Sequence, residues 1–137
     1  MELSEQVVSL DLAKRLKELG VKQESSFYYD YAPHVNNGKP LDDPIISFWR
    51  LPPWCAFGNR PNKDDFVSAF TVAELGELLP DWQETVKRAD KDWVCIIRHK
   101  NSDINDHSFA QTEADARAKM LIHLIENKLM DITNDGK

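Results

Sequence analysis

The stretch TEADARAKMLIHLIEN, residues 112–127, decides the fold class. Thr112 carries the hydroxyl of a helix N-cap, and Glu113 stands four residues before Arg117 in the order that stabilises a helix. The segment and the residues just after it carry an apolar stripe about 100° wide, typical of a helix that faces a core. The members of this stripe are Ala114, Ala118, Leu121, Ile122, Ile125 and Leu129. The pattern predicts a long amphipathic helix.

Two shorter helices are predicted upstream of this segment. Ser9 is placed to cap the first one, whose leucines share one face until Gly20 ends it. Thr71 and Glu74 have the spacing of a capping box, and Pro80 stops the helix that they begin. Both segments combine a hydroxyl cap with leucines at helical spacing. That similarity fits an internal duplication, and it fits two helices that merely share start signals.

Runs rich in aromatic and β-branched residues predict strands between these helices. They cover residues 26–31, 45–50, 93–99 and 108–111. The order of elements predicts an α+β fold, a mainly antiparallel sheet with three helices packed on one face. We expect a single domain over residues 1–137, with frayed ends at about 1–8 and 131–137.

Composition excludes several classes of protein. The chain has 17 Lys and Arg against 23 Asp and Glu, a formal net charge of −6, and no segment of excess positive charge, so nucleic-acid binding is disfavoured. No apolar run approaches the roughly 18 residues of a membrane helix. The first residues are acidic and polar, unlike a secretory signal, which predicts a cytoplasmic protein. Fingerprints of nucleotide or dinucleotide binding are lacking, and no cofactor is expected.

The aromatic residues offer the best indication of binding. Many fall between residues 28 and 57, on two predicted strands and on the proline-rich segment that follows them. Exposed Trp and Tyr side chains beside prolines are typical of protein-binding hot spots. The alternative is that these rings pin a long loop to the domain. The candidate binding residues are Tyr29, Tyr31, Trp49, Trp54 and Phe57.

A second candidate surface lies on the last predicted helix. Ala116, Met120 and Leu124 repeat every four residues on the side opposite the core stripe, where a surface helix is normally polar. Another part of the chain or a second molecule must cover these three apolar side chains. Val7 and Val8 or the C-terminal tail would do so within one chain, and a second copy would do so in an oligomer.

Histidines raise a third possibility. If the turn after residue 99 centres on Asp103, His99 and His107 oppose each other across a hairpin and could share a metal ion. The alternative is an exposed polar pair. An enzyme that acts on a small ligand or through a metal would add His34 or Cys55 from the loops to these two histidines.

The segments FTVAELGELLP, residues 70–80, and TEADARAKMLIHLIEN, residues 112–127, resemble those of small uncharacterised bacterial proteins often encoded in phage or prophage regions. The resemblance covers mainly residues 70–130. It implies a bacterial, intracellular context linked to mobile elements, and it supplies no activity.

These observations favour a non-catalytic accessory protein that acts through a protein partner or by self-association as a dimer. Two alternatives stay open. One is the small-ligand or metal-dependent enzyme described above. The other is an acidic inhibitor that imitates nucleic acid, which would need a contiguous face of carboxylates spaced like phosphates.

Overall fold

The computed structural model describes residues 3–31, 44–48, 66–80, 83–89, 91–98 and 105–130. Within these ranges the chain forms four helices and six strands. In chain order they are α1 (Leu3–Gln6), α2 (Leu10–Glu18), β1 (Phe27–Asp30), β2 (Ile45–Phe48), β3 (Phe66–Ser68), α3 (Val72–Leu78), β4 (Gln83–Lys87), β5 (Trp93–Arg98), β6 (Asn105–Ala110) and α4 (Glu113–Glu126). In this part of the chain no helix has the length and apolar character needed to span a membrane.

The strands form two three-stranded antiparallel sheets, so the α+β prediction is confirmed. The first sheet has the order β2-β1-β3 and the second the order β4-β5-β6. Two details differ from the prediction: the described residues contain four helices rather than three, and two sheets rather than one. The different strand orders also mean that the two halves are not copies of one arrangement.

Helix α4 occupies the centre of the molecule. It packs against all three strands of the second sheet and also against α2 and α3, while α2 reaches β3 of the first sheet. One apolar core therefore contains residues of both sheets, among them Tyr29, Val67, Cys95 and Ile97. The prediction of helices on one sheet face was too simple, because α4 has neighbours on several sides.

The start of the chain is tied to the core rather than frayed over residues 3–8. Val7 and Val8 are buried, the backbone N–H of Val8 donates to the Phe70 carbonyl oxygen at 2.9 Å, and Val7 forms a β-bridge with Thr71. Burial of two valines and pairing of the backbone hold this segment against the residues that precede α3. Residues 131–137 lie outside the described part of the chain.

Local signals in the sequence match the structure closely at α3. Thr71 Oγ1 accepts a hydrogen bond from the Glu74 N–H at 3.2 Å, and Glu74 Oε1 accepts one from the Thr71 N–H at 2.9 Å. The predicted capping box is thus confirmed. Strand β3 was not predicted, because three residues are too few to show an alternating pattern. Helix α4 ends before Leu129, which is 52% exposed rather than part of the core stripe.

Candidate functional site

The predicted aromatic residues have different environments. Tyr29 is buried in the core, and its hydroxyl donates to the Val8 carbonyl oxygen at 2.7 Å. Burial raises the pKa of the Tyr29 hydroxyl to about 12. Tyr31 is partly buried against the core, with Lys14 Nζ 5.8 Å from its ring centroid. The remaining candidates, Trp49, Trp54 and Phe57, lie outside the described residues.

The predicted oligomer surface on α4 is inside the molecule. Ala116, Met120 and Leu124 are all buried by the chain itself. This corrects the prediction of an exposed apolar side, since α4 is surrounded by both helices and strands. Of the two covers considered, the intrachain one applies, and these three residues offer no surface to a second copy.

The strand register differs from the one that the predicted histidine pair assumes. Across the β5–β6 hairpin, the residue opposite His107 is Ile96, three positions before residue 99. His107 is exposed and its ring stacks with Phe109 at a centroid distance of 6.4 Å. His99, His34 and Cys55 lie outside the described residues, within which no group of three His, Cys, Asp or Glu side chains is placed to hold a metal ion.

A cleft of about 340 Å³ opens between α1 and the first turns of α3 and α4. Trp93 and Lys87 form part of its wall, and Glu113 lies on the α4 side. Glu113 is already engaged, because its carboxylate accepts from the Thr85 hydroxyl at 2.6 Å and pairs with Arg117 Nη2 at 3.4 Å. The described residues that line the cleft include no histidine or cysteine. Cys95 lies in the core, where burial raises the pKa of its thiol to about 11.

Strand β2 supplies the most exposed aromatic side chain among the described residues. Phe48 is 63% exposed and contacts the ring of Phe27 edge-on at a centroid distance of 5.6 Å. Ile45, at the other end of the strand, is 47% exposed. Both belong to the segment rich in aromatic residues, although neither is among the predicted binding residues. The feature of the sequence that could have indicated this surface is the run of residues 45–48, which contains no charged side chain.

The backbone of β2 presents hydrogen-bonding groups on its outer side. The Ala69 N–H donates to the Phe27 carbonyl oxygen at 2.9 Å, so the backbone groups of Phe27 face β3. The backbone N–H and carbonyl groups of successive residues in an antiparallel strand point to alternate sides. The backbone groups of Tyr28 therefore face its partner Ser47 on β2. It follows that Ile46 and Phe48 turn their N–H and carbonyl groups away from β1. Among the described strands, β2 has β1 as its neighbour on one side only.

The outer edge of β3, by contrast, is capped by side chains. Lys17 Nζ donates to the Phe66 carbonyl oxygen at 2.9 Å, and Gln23 Oε1 accepts from the Ser68 N–H at 2.8 Å. On the second sheet, Lys119 Nζ donates to the Phe109 carbonyl oxygen on the β6 edge at 3.0 Å. The β4 edge carries the charged side chains of Glu84 and Lys87. Such groups discourage the addition of a further strand, and β2 (Ile45–Phe48) carries no charge.

The second sheet has an apolar row on the face opposite α4. Val86, Val94 and Phe109 are aligned across its three strands. Phe109 is 43% exposed, and the guanidinium of Arg88 lies over its ring at 4.7 Å. Both signs of charge are present on this side of the sheet: Arg88 forms an ion pair with Asp92, and Arg98 forms one with Glu84. This mixture differs from the all-carboxylate face that imitation of nucleic acid would need.

Comparison of the chain with protein-family models, with curated proteins and with solved structures finds no match.

Proposed function

We propose that the chain is a non-catalytic accessory protein that binds another protein through the outer edge of β2. The same proposal places it in the cytoplasm of a bacterium, in keeping with the sequence resemblance to proteins of phage and prophage regions. The binding surface consists of Ile45–Phe48, and Phe48 is its aromatic anchor. A protein partner is favoured over a small ligand, because a strand edge offers backbone groups in a row rather than an enclosed pocket.

The observation that carries this proposal is the exposure of Phe48. Phe48 is a large aromatic ring that is 63% exposed, and the other residues of its strand carry no charge. Such a ring is the kind of anchor found at protein interfaces. The outward N–H and carbonyl groups of Ile46 and Phe48 would add backbone hydrogen bonds to the apolar contact made by the Phe48 ring. The candidate rings that the structure places in the core, such as Tyr29, are unavailable for this role.

Site-specific photo-crosslinking tests the proposal. A photoreactive phenylalanine analogue replaces Phe48 in the full chain, and the same analogue replaces Phe109 as a matched aromatic control on the second sheet. We expect irradiation in bacterial cells to yield covalent protein adducts from position 48 and few from position 109. Position 48 giving no more adducts than the control would overturn the proposed binding surface.

A further inference from the structure

We infer that the partner at the β2 edge is a second copy of this chain, so that two first sheets join through paired β2 strands into one six-stranded sheet. This inference rests on the proposed function, because it names the occupant of the same surface. Its support comes from the directions of the backbone groups, the absence of charge on β2 and the protection of the other strand edges.

The spacing of the outward groups allows β2 to pair with itself. With a two-fold axis at Ser47, Ile46 of one copy stands opposite Phe48 of the other, and the reverse. Residues opposed in this way in an antiparallel ladder exchange both of their hydrogen bonds. Each copy then uses the N–H and carbonyl groups of both Ile46 and Phe48, four hydrogen bonds in all. Opposed side chains also lie on one face of a sheet, which sets Phe48 beside Ile46 of the other copy.

The charges on the described residues of this edge allow a second copy to approach. The four residues of β2 are uncharged, and the acidic side chain on the adjacent strand, Asp30, is 3% exposed. Along the described residues of this edge, two chains that each carry a formal charge of −6 can therefore approach without opposing carboxylates face to face. A copy approaching β3 or β6 instead would meet the lysine side chains that cap them, Lys17 and Lys119.

The interface would be small. Two four-residue strands bury much less than the roughly 800 Å² per partner of a standard interface, so assembly should be reversible and depend on concentration. Analytical ultracentrifugation of the full chain should show the mass rise from one copy towards two. Phe48→Lys should weaken this association about tenfold or more, because it places a cation on both sides of the axis. Phe109→Lys should leave it unchanged.

A cysteine pair tests the register itself. In a Cys55→Ser background, Ser47→Cys places two thiols opposite each other at the axis, within the range of Cα separations that a disulfide spans. Mild oxidation should link the two copies. Ile45→Cys is the matched control, because the same register separates the two positions by about 13 Å along the strands. A monomer at about 1 mM, an association that Phe48→Lys does not change, or equal cross-linking of both cysteine variants would each overturn the inference.

The photo-crosslinking experiment separates this inference from the proposed function. An adduct at position 48 with the mass of two copies supports both. An adduct that contains only a different protein overturns self-pairing and leaves the β2 edge as a protein-binding surface. The lack of an adduct above the Phe109 control overturns both.

Discussion

Gly76 of α3 lies directly against the guanidinium group of Arg117 on α4, so closely that a β carbon at residue 76 would collide with Arg117 Nη1. The guanidinium is held there by three groups: it donates to the Val72 carbonyl oxygen at 3.1 Å and to the Thr85 hydroxyl at 3.0 Å, and it pairs with Glu113. One arginine thus joins α3, β4 and α4.

Gly76→Ala should destabilise the protein, although alanine is normally the better helix former by about 1 kcal/mol. The new methyl group must displace Arg117 from its partners, and the loss of these charge-assisted bonds outweighs the gain, for a net loss of about 1–3 kcal/mol. Urea denaturation measures the free energy of unfolding.

The control for this prediction is a double-mutant cycle with Arg117→Met. Once the guanidinium has been removed, Gly76→Ala has nothing to displace and should be neutral or stabilising. A stabilising effect of Gly76→Ala in the otherwise unchanged chain would contradict the role of the contact.

The capping box of α3 also holds the first sheet. Besides closing the box with Thr71, Glu74 accepts a hydrogen bond from the Ser26 N–H at 2.8 Å, just before β1. Thr71→Ala should lower the free energy of unfolding by about 1 kcal/mol, and Glu74→Ala should lower it further because it removes both bonds. Thermal unfolding compares the two, with Glu74→Gln as an intermediate variant: Glu74 accepts from Thr71 through Oε1 and from Ser26 through Oε2, and glutamine keeps only one acceptor oxygen. Equal effects of the two alanine variants would argue against the link to Ser26.

Stability should decline at alkaline pH through the ionisation of Tyr29. Burial raises the pKa of its hydroxyl from 10.0 to about 12, so the folded state keeps this proton more tightly than the unfolded state. The contribution of the Tyr29 hydroxyl to the free energy of unfolding is therefore complete below pH 10 and is lost as the pH rises from 10 to 12. Two pH units correspond to about 3 kcal/mol.

Denaturation between pH 8 and pH 12 checks this dependence. Tyr29→Phe should be less stable at pH 8 by about 1 kcal/mol, since the Val8 carbonyl oxygen loses its donor, but it should lose less stability above pH 10. Parallel pH curves for the two proteins would show that Tyr29 is not the titrating group. Cys95, whose thiol pKa is raised to about 11 by burial, accounts for a further part of the decline in both.

Met120→Lys should unfold the protein or destabilise it by more than about 3 kcal/mol. Met120 is fully buried in α4, and a lysine there would bring a charge into the core without a partner. Circular dichroism and denaturation measure the effect. Met120→Leu, which keeps the volume and the apolar character, should cost less than about 1.5 kcal/mol. A folded Met120→Lys variant with altered oligomeric state would instead restore α4 as an exposed surface.

The sequence predicted the elements with strong local signals. Thr71 and Glu74 fixed the start of α3, and the apolar stripe from Ala114 onward identified α4, because caps and helical periodicity act over a few residues. The surroundings of α4 were not predictable in the same way. Periodicity distinguishes the two sides of a helix, but it does not report that a second layer covers the side bearing Met120 and Leu124.

The strand register and the exposure of individual side chains are the features of the candidate site that the sequence did not predict. A turn centred on Asp103 would set His107 opposite residue 99, whereas the residue opposite His107 is Ile96, so the register differs from the one that the metal pair requires. The segment rich in aromatic residues was identified, yet its composition did not distinguish the buried Tyr29 from the exposed Phe48. That difference depends on which strand lies at the sheet edge, and strand order is a property of the whole fold.

The central position of α4 dictates when the chain can fold during its synthesis. Ser9 N–H donates to Asp115 at a separation of 106 residues, and Arg15 binds Glu126 at a separation of 111. Until α4 has left the ribosome, the apolar surfaces of α2, of α3 and of the second sheet lack the helix that packs against them. Contacts between such distant residues also form slowly. The emerging chain should therefore remain an open, protease-sensitive and chaperone-accessible polypeptide until α4 is made.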